Sequence, residues 1–494
     1  MAETKPEIKP ETKRWADEED DPEPEPEPEP ESVSQSEEST SSTSAPNVET
    51  PADLESLKID ESKKSNNFVD EPEDSNIKAV TAGDTLYSTA STFEDLKLSA
   101  ELLQGIYIEM KFTRPSKIQS VSLPMILTPP YKDLVAQAHN GSGKTTCFVL
   151  GMLSRVDPKL KAPQALCICP TRELAIQNME VLLKMGKYTG ISSTLAIPTS
   201  TADIPINKRA AITEQIIIGT PGTIKKWTSY KKLSTRELQI LVFDEADHML
   251  SDDGFKDDSL RIIKDIERSN NHCQVLLFSA TFNETVKAFV SRVIRNGNQM
   301  FVKKEELSLD VVKQYKVNCP DEQAKIDVIR SRIFELGDKL GQTIIFAHSR
   351  HSANALHTSL ADVGWECTTI HGAVDKELRD KIVKEFKDGL TQVLISTDLL
   401  SRGFDQSQVN LVINYDLPVK HENRTEPDYE VYLHRCGRAG RFGRKGAVFN
   451  LLCQSQDHML MDKIQKHFGS QIVEIGDWES DEDFEKALKA AGLL

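Results

Sequence analysis

The sequence lacks several features that would assign it to a membrane, to secretion or to a disulfide scaffold. It has no apolar run of the roughly 20 residues that a membrane span needs, and residues 1–10 lack the apolar centre of a secretory signal. Its eight cysteines include no Cys-x-x-Cys pair. Cys167 and Cys169 alternate onto one face of an apolar run, which favours buried reduced thiols over metal or disulfide roles. These absences predict a soluble chain of the cytosol or nucleus.

The chain also lacks a basic excess, since its net charge is −17. That value at first argues against a nucleic-acid partner, but the charge is unevenly distributed. The first 80 residues hold 24 acidic and eight basic side chains, whereas the remainder holds 53 acidic and 52 basic ones. Because the folded part is balanced, a local basic groove is compatible with this composition.

Residues 1–80 combine a Pro-Glu repeat (Asp21–Pro30) with a Ser/Thr tract (Ser32–Ser44). Such a segment buries too little apolar surface to offset its ordering entropy, so we predict a disordered acidic tail. Two hypotheses remain open for it. The tail either solubilises the chain and repels nonspecific nucleic acid, which we favour, or it docks a specific partner.

From residue 81 onward, short apolar runs alternate with helical stretches of about a dozen residues. The runs are Leu166–Pro170, Ile216–Thr220, Ile240–Asp247 and Val275–Thr281, followed by Thr343–Ser349, Cys367–Gly372, Gln392–Asp398, Asn410–Pro418 and Gly446–Leu452. Unbroken runs of this length are typical of strands buried on both faces of a parallel sheet. We therefore predict two doubly wound, mostly parallel α/β domains at residues 81–303 and 311–494, with a linker at 304–310.

A glycine-rich loop stands directly after a further apolar run, Asp133–Ala136, and before the helical segment TTCFVLGMLSR. It reads AHNGSGKT, and its predicted nucleotide-binding residues are Ala138, Asn140, Gly141, Ser142, Gly143, Lys144 and Thr145. Gly141 and Gly143 allow backbone N–H groups to face phosphate oxygens, and the following helix N-terminus favours negative charge. We expect Lys144 to reach the phosphates and Thr145 to hold Mg²⁺. The alternative is a glycine turn with a solvated lysine.

A second signal lies 100 residues later, where Asp244 and Glu245 end an apolar strand. Asp244 stands where a second Mg²⁺ ligand is needed, and Glu245 is placed to orient and deprotonate an attacking water. An ordinary acidic strand end is the alternative interpretation. The combination with the glycine loop favours nucleotide hydrolysis.

The order of these and further motifs along the chain resembles that of the DEAD-box RNA helicases. The ordered strings are FTRPSKIQ, AHNGSGKT, PTRELA, TPG, DEAD, SAT and YLHRCGRAGRFGR, which extend over roughly residues 90–460. The resemblance implies two RecA-like domains that clamp ATP and single-stranded RNA between them, with RNA-dependent hydrolysis of ATP to ADP and phosphate.

The resemblance also implies roles for individual residues. Gln119 is similar to the side chain that reads adenine, Phe93 to the aromatic that stacks on it, and Asp405 to the ribose contact. Ser279 and Thr281 resemble hydroxyls that bond Asp247 and couple hydrolysis to RNA. Arg438 and Arg441 resemble arginine fingers for the γ-phosphate, a role that contributes ~10³–10⁵ in rate. The implied RNA contacts are Thr171, Arg172, Thr220, Gly222, Gly372, Arg379 and Thr397.

Contacts of this kind hold the RNA backbone and 2′-hydroxyls, so they carry no base code and favour RNA over DNA. The sequence departs from the family pattern at Thr223, which replaces an arginine, at Lys376, which replaces a glutamine, and at Ser401, which replaces an alanine. A Gly-Gly pair is also missing around Ala196–Ser200. These departures bear on the RNA footprint and leave the ATP site intact.

Thirteen residues separate Pro418 from Tyr432, where most members of the family have about five. This insertion and the strings EPEDSNIKAV and LTPPYKDLVAQAHNGSGKT resemble the plant form of the DEAD-box helicases of nuclear mRNA export. The resemblance implies a monomer at the cytoplasmic face of the nuclear pore, with a nucleoporin and an inositol-hexakisphosphate-bound activator as partners.

Two other functions remain open on the sequence alone. The same motifs serve an ATP-locked RNA clamp that hydrolyses slowly, and RNA-stimulated multiple turnover would distinguish a remodeller from it. A DNA translocase is disfavoured, because Asp247 stands where related processive helicases have histidine.

Overall fold

The computed structural model describes residues 77–81, 87–138, 141–198, 205–251, 253–270, 272–294, 296–302, 312–337, 340–401, 404, 406, 408–420, 422–439 and 445–494. The predicted linker 304–310 and the predicted site residues Asn140, Asp405 and Arg441 lie outside this part of the chain. So does most of the predicted acidic tail.

Residues 77–302 carry the first sheet and are called the first lobe. Its described strands are β1 (Ile77–Val80), β2 (Leu134–Gln137), β3 (Ala165–Ile168), β4 (Ser193–Ala196), β5 (Ile216–Gly219), β6 (Ile240–Phe243), β7 (Gln274–Ser279) and β8 (Asn298–Val302). Its described α-helices are α1 (Ala100–Gln104), α2 (Lys117–Leu127), α3 (Lys144–Arg155), α4 (Arg172–Met185), α5 (Pro221–Ser229), α6 (Ala246–Leu250), α7 (Asp253–Ser269) and α8 (Glu284–Val293). The strand order is β1-β8-β2-β7-β6-β3-β5-β4.

Residues 312–494 carry the second sheet and are called the second lobe. Its described strands are β9 (Lys313–Asn318), β10 (Gln342–Phe346), β11 (Cys367–Ile370), β12 (Val393–Ser396), β13 (Val409–Asn414), β14 (Ala447–Leu452) and β15 (Val473–Ile475). Its described α-helices are α9 (Glu322–Asp327), α10 (Arg350–Ala361), α11 (Lys376–Lys387), α12 (Tyr429–Cys436), α13 (Ser455–Phe468) and α14 (Asp481–Ala491). The strand order is β11-β12-β10-β13-β14-β9-β15.

Both sheets are covered on two faces. In β6, Ile240 and Val242 pack into one hydrophobic cluster, while Leu241 and Phe243 pack into another on the opposite face. All four side chains are buried, as are their counterparts in the central strands of the second sheet. Unbroken apolar runs arise because such a strand has no solvent face. Every pairing between the named strands is parallel except that of β1 with β8, so the predicted doubly wound, mostly parallel architecture is confirmed.

Strand β1 corrects one expectation. The composition predicts residues 77–80 as part of the disordered tail, but they pair antiparallel with β8 at the sheet edge, with Ile77 opposite Val302 and Val80 opposite Gln299. The exposed backbone groups of β8 offer hydrogen-bond partners to a short apolar segment, which the charge-rich composition around it concealed.

No helix in the described ranges is long and apolar enough to cross a membrane.

Candidate active site between the two lobes

The glycine loop leads from β2 into α3 and closes on itself. Gly141 and Gly143 have φ values of 81° and 100°, which lie in the left-handed region that favours glycine. Lys144 begins α3, and its buried ammonium donates to the carbonyl oxygen of Ala138 at 2.8 Å. A cation and the N-terminus of a 12-residue helix therefore face the same loop, which is the arrangement that binds phosphate.

Gln119 holds this loop from outside. It lies in the first turn of α2, where its amide oxygen accepts from the N–H of Ser116 at 2.9 Å in a capping box. Its amide nitrogen donates to the carbonyl of Gly143 at 3.3 Å, and the Ser116 hydroxyl donates to the carbonyl of Ser142 at 2.9 Å. Gln119 thus shapes the phosphate loop in this structure, and its adenine-reading role stays a prediction.

Replacing Gly143 with alanine is expected to weaken ATP binding about tenfold to a hundredfold. The added Cβ would lie 2.4 Å from the Gln119 amide nitrogen, at a φ of +100° that costs roughly 1–3 kcal/mol for a residue with a side chain. Nucleotide titration of the full chain measures the effect. Gly364→Ala is the control, because Gly364 has a φ of +90° with open space around it. Unchanged ATP affinity in Gly143→Ala would contradict the phosphate-loop assignment.

Asp244 follows β6 and is buried beside the loop. Its side chain accepts from the Asn178 amide at 2.8 Å. Burial raises the pKa of the Asp244 carboxyl to about 6, and the Glu245 charge adds to the rise, while Lys144 and the Asn178 hydrogen bond oppose it. A carboxylate that is costly to bury is stabilised by a nearby cation.

The residues present fit a nucleotide with its divalent metal ion. Ser142 Oγ is buried without a hydrogen-bond partner among the described residues, so the loop retains an unused polar atom. Lys144 supplies positive charge beside it, and the Asp244 carboxylate supplies an oxygen ligand of the kind that Mg²⁺ prefers. Thr145, in the first turn of α3, carries the hydroxyl predicted to complete that ligand set.

Glu245 has an unusual backbone conformation for a residue with a side chain. Its φ of 51° and ψ of 52° place it in the left-handed region immediately before α6. Such a conformation costs about 1–3 kcal/mol and is maintained by the surrounding structure. The Glu245 carboxylate is buried, and its Oε2 lies 3.7 Å from Nδ1 of His434, which belongs to the second lobe.

Asp247 collects hydrogen bonds from two elements of the first lobe. Its Oδ2 accepts from the N–H of Thr281 at 3.0 Å and from the Thr281 hydroxyl at 2.8 Å. Its own N–H donates to the hydroxyl of Ser279 at 3.2 Å. The Ser279 carbonyl in turn accepts from the N–H of Ala138 at 3.1 Å. Asp247 is therefore linked to the phosphate loop through Ser279.

His434 is a site residue that the sequence analysis missed. It lies on α12, is completely buried, and places Nε2 3.4 Å from Oδ2 of Asp247. With Glu245 it completes a group of three side chains whose ligand-type atoms lie within 4.8 Å of one another. Its place in the Tyr432–Arg444 motif was the available signal, but the motif does not show which carboxylates it meets.

Arg438 is bound within the second lobe. It is 2% exposed, and its guanidinium donates to the main-chain carbonyls of His434 and Phe404. The arginine-finger role stays a prediction for Arg438, as it does for Arg441 outside the described residues. The bond to the His434 carbonyl nevertheless joins Arg438 directly to the residue that contacts Asp247.

Arg435 packs inside the second lobe. Its guanidinium bonds the carboxylate of Asp398, the amide oxygen of Asn414 and the main-chain carbonyl of Asp416, and it lies over the ring of Phe346. Arg435 thus anchors α12 to the ends of β12 and β13. Arg435 is fully buried, so its charge serves packing within the second lobe and is not solvated.

The predicted RNA contacts follow strands of both sheets. Thr171 and Arg172 follow β3, Thr220 and Gly222 follow β5, Gly372 follows β11, and Thr397 follows β12. The phosphate loop follows β2 in the same way. Ligands of doubly wound sheets bind at the carboxyl ends of the strands, so this placement suits a common binding edge.

Two of these residues are paired across the lobes. Arg172 forms an ion pair with Asp380, and Arg379 forms one with Glu173 at 3.0 Å. Each pair joins α4 of the first lobe to α11 of the second. Both arginines are mostly buried, so in this structure their charges are compensated by carboxylates of the opposite lobe.

Two further predictions meet a different environment. Thr223 stands where the family has an arginine, and its hydroxyl lies 3.4 Å from the hydroxyl of Thr220. The side chain at this position therefore contacts its own neighbour in the first turn of α5. Phe93 is completely buried and packs edge to face on Tyr107, with ring centroids 6.1 Å apart. The Phe93 ring offers no open face to a base in this structure, and the stacking role stays a prediction.

Comparison with known proteins gives this geometry a family. The protein-family model described as DEAD/DEAH box helicase matches residues 116–289, and the family model described as Helicase conserved C-terminal domain matches residues 324–443. The chain is 63% identical to DEAD-box ATP-dependent RNA helicase 38 of Arabidopsis thaliana over 445 residues, covering 90% of this chain and 89% of the relative. The chain belongs to the DEAD-box ATP-dependent RNA helicases. It is therefore an RNA-dependent ATPase.

Solved structures of DEAD-box helicases agree with this assignment. The structure of Saccharomyces cerevisiae Dbp5 bound to RNA and ADP BeF3 is 37% identical, with a TM-score of 0.75, and covers 81% of this chain and 100% of that one. A Dbp5 variant bound to Nup159, a Gle1 variant, IP6 and ADP is 36% identical, with a TM-score of 0.58, and covers 80% of this chain and 99% of that one. The ATP and RNA dependence expected from the sequence is confirmed.

Proposed function

We propose that this helicase remodels messenger ribonucleoprotein during mRNA export, at the cytoplasmic face of the nuclear pore. Its likeness to Dbp5, which is solved in complex with Nup159, a Gle1 variant and IP6, supports the proposal. The same likeness supports a nucleoporin and an activator bound to inositol hexakisphosphate as partners. We further propose that the chain acts as a monomer in cytoplasm and nucleus.

The observation that carries the proposed mechanism is the contact of His434 with Glu245 and Asp247. Groups from both lobes meet at the acidic end of β6, so the site is complete only when the lobes are together. RNA that holds the lobes together therefore promotes hydrolysis. Separation of the lobes after hydrolysis releases the RNA. Displacement of bound protein or of a short strand accompanies each cycle.

In the first lobe, the residues of the loop from Ala138 to Thr145 bind the phosphates. Asp244 and Thr145 would hold Mg²⁺, which supplies charge neutralisation at the phosphates when bound. Glu245 accepts the proton of the attacking water. Gln119, Phe93 and Asp405 are assigned to the adenosine.

Asp247, Ser279 and Thr281 form the relay in this proposal. Their hydrogen bonds connect the acidic end of β6 to the carboxyl end of β7, and His434 extends the connection to the second lobe. Arg438, bonded to the His434 carbonyl, is assigned with Arg441 to the developing charge on the γ-phosphate.

Phosphate and 2′-hydroxyl contacts are assigned to six residues that follow the carboxyl ends of strands and to Arg379 in the first turn of α11. They are Thr171, Arg172, Thr220, Gly222, Gly372, Arg379 and Thr397. Because these groups hold the RNA backbone, the proposed grip is independent of base sequence and strongly dependent on salt.

The export proposal predicts a specific defect in cells. Replacing the chromosomal copy by Glu245→Gln is expected to trap polyadenylated RNA in the nucleus, because the variant engages RNA without completing the cycle. In situ hybridisation against poly(A) measures the distribution of this RNA.

A Gle1-type activator with inositol hexakisphosphate is expected to raise the ATPase activity of the purified wild-type protein at limiting RNA.

The control for the cell experiment is Glu237→Gln, which changes an exposed carboxylate of the same lobe. Normal poly(A) distribution in cells whose purified Glu245→Gln protein has lost ATPase would contradict the export role. It would leave the assignment as an RNA-dependent ATPase in place.

A further inference from the structure

Helices α4 and α11 face each other across the two lobes and carry a row of three ion pairs. Near the N-terminus of α4 stand the pairs Arg172–Asp380 and Glu173–Arg379. Further along both helices, Lys387 Nζ lies 2.7 Å from Glu180 Oε2. This third pair contains no residue assigned to ATP or RNA.

The third pair is displaced from the first two by nearly the same number of residues on both helices. Glu180 follows Glu173 by seven residues on α4, and Lys387 follows Asp380 by seven residues on α11. Seven residues correspond to about two helical turns and ~10 Å along the axis, so the partners on each helix share one face. Both steps run in the same chain direction, so the two helices lie side by side in parallel orientation and in fixed register.

We propose that Glu180 and Lys387 are positioning residues for RNA-stimulated ATP hydrolysis, because their ion pair fixes the register in which the two lobes close. The two pairs at the start of α4 define one point of contact between α4 and α11, and a single point leaves these two helices free to pivot about it, although His434 and Glu430 join the lobes elsewhere. The Glu180–Lys387 pair supplies a second point about two turns away. Fixing two points orients α11, and with it the second lobe that carries His434.

The exposure of the pair determines how it must be tested. The Glu180 and Lys387 side chains are 50% and 20% exposed, so solvent screens their attraction and simple neutralisation has a small effect. Charge reversal is more informative, since it replaces the attraction by repulsion at the same place. Reversing both charges restores an attractive pair of opposite polarity.

The experiment measures ATP turnover of the full chain against the concentration of single-stranded RNA. Lys387→Glu is expected to raise the RNA concentration for half-maximal turnover about fivefold, with turnover in the absence of RNA unchanged. Glu180→Lys is expected to shift it in the same direction. The double variant Glu180→Lys/Lys387→Glu is expected to return to within about twofold of the wild type.

The single variants separate register from general electrostatics. If Lys387 only attracts RNA, Glu180→Lys adds positive charge and would strengthen RNA activation, which would overturn the proposal. Lys384→Glu is the matched control, since Lys384 is exposed on the same helix and pairs with Asp388, the C-terminal cap of that helix. An equal shift in Lys384→Glu, or no recovery in a double variant that unfolds at the wild-type temperature, would also overturn it.

Discussion

Replacing Glu245 with glutamine is expected to lower RNA-stimulated ATP turnover by about a hundredfold to ten-thousandfold, the usual contribution of a general base. Glutamine matches glutamate in size and fits the same buried position, but its amide accepts no proton from water. The phosphate loop, Lys144 and Asp244 are untouched, so nucleotide binding should persist. Phosphate release under saturating RNA and ATP measures turnover, and titration with a fluorescent ATP analogue measures binding.

Glu237→Gln makes the same chemical change on an exposed side chain of the first lobe and should keep wild-type turnover. Glu245→Gln turnover within about threefold of the wild type, with nucleotide binding intact, would remove Glu245 from the proton-transfer role. Another group at the acidic end of β6 would then have to act as the base.

Replacing His434 with alanine is expected to reduce RNA-stimulated turnover by about tenfold to a hundredfold, the range for losing one buried hydrogen bond to a charged group. The imidazole is completely buried and lies between the carboxylates of Glu245 and Asp247. Its removal breaks the contact that the second lobe makes at this site. Turnover against RNA concentration separates loss of maximal rate from weaker RNA binding.

His458→Ala is the control, because His458 is exposed on α13 of the same lobe. A His434→Ala protein with wild-type maximal turnover would show that this contact is incidental to hydrolysis. Nucleotide affinity should match that of the wild type, since the phosphate loop lies in the first lobe. A change confined to nucleotide affinity would also contradict the account.

Much of the fold could be predicted from local pattern, because a strand buried on both faces requires an unbroken apolar run. Ile216–Gly219 and Ile240–Phe243 show this directly, since every side chain in them is buried. Edge strands carry no such requirement. The half-buried β4 and the antiparallel β1 were missed for that reason, and β1 depends on a partner more than 200 residues away.

The residues of the site likewise fall into those that the sequence predicts and those that it does not. Gly143 and Lys144 could be placed from sequence because a phosphate loop is built within one strand–loop–helix unit. Asn178, which donates to Asp244, and His434, which meets Asp247, come from distant parts of the chain. Their contacts depend on how sheets and lobes pack, and no periodicity or spacing specifies that.

The ion pairs of Arg172 and Arg379 show what the order of motifs along the sequence does not predict, namely the contacts between the lobes. The sequence predicts both arginines as RNA contacts, and nothing in it indicates that Asp380 and Glu173 of the opposite lobe would pair with them. Arg172 and Glu173 of α4 form ion pairs with Asp380 and Arg379 of α11 only because the two helices face each other. The same arginines therefore serve the contact between lobes in this structure.

The most direct test of the central claim, that the second lobe acts on hydrolysis through Asp247, is a double-mutant cycle on RNA-stimulated turnover. It compares Asp247→Asn, His434→Ala and the double variant, each with nucleotide affinity measured in parallel. If His434 acts through Asp247, the double variant should lose no more activity than the more severe single variant. Losses that multiply would show two independent contributions and contradict the relay.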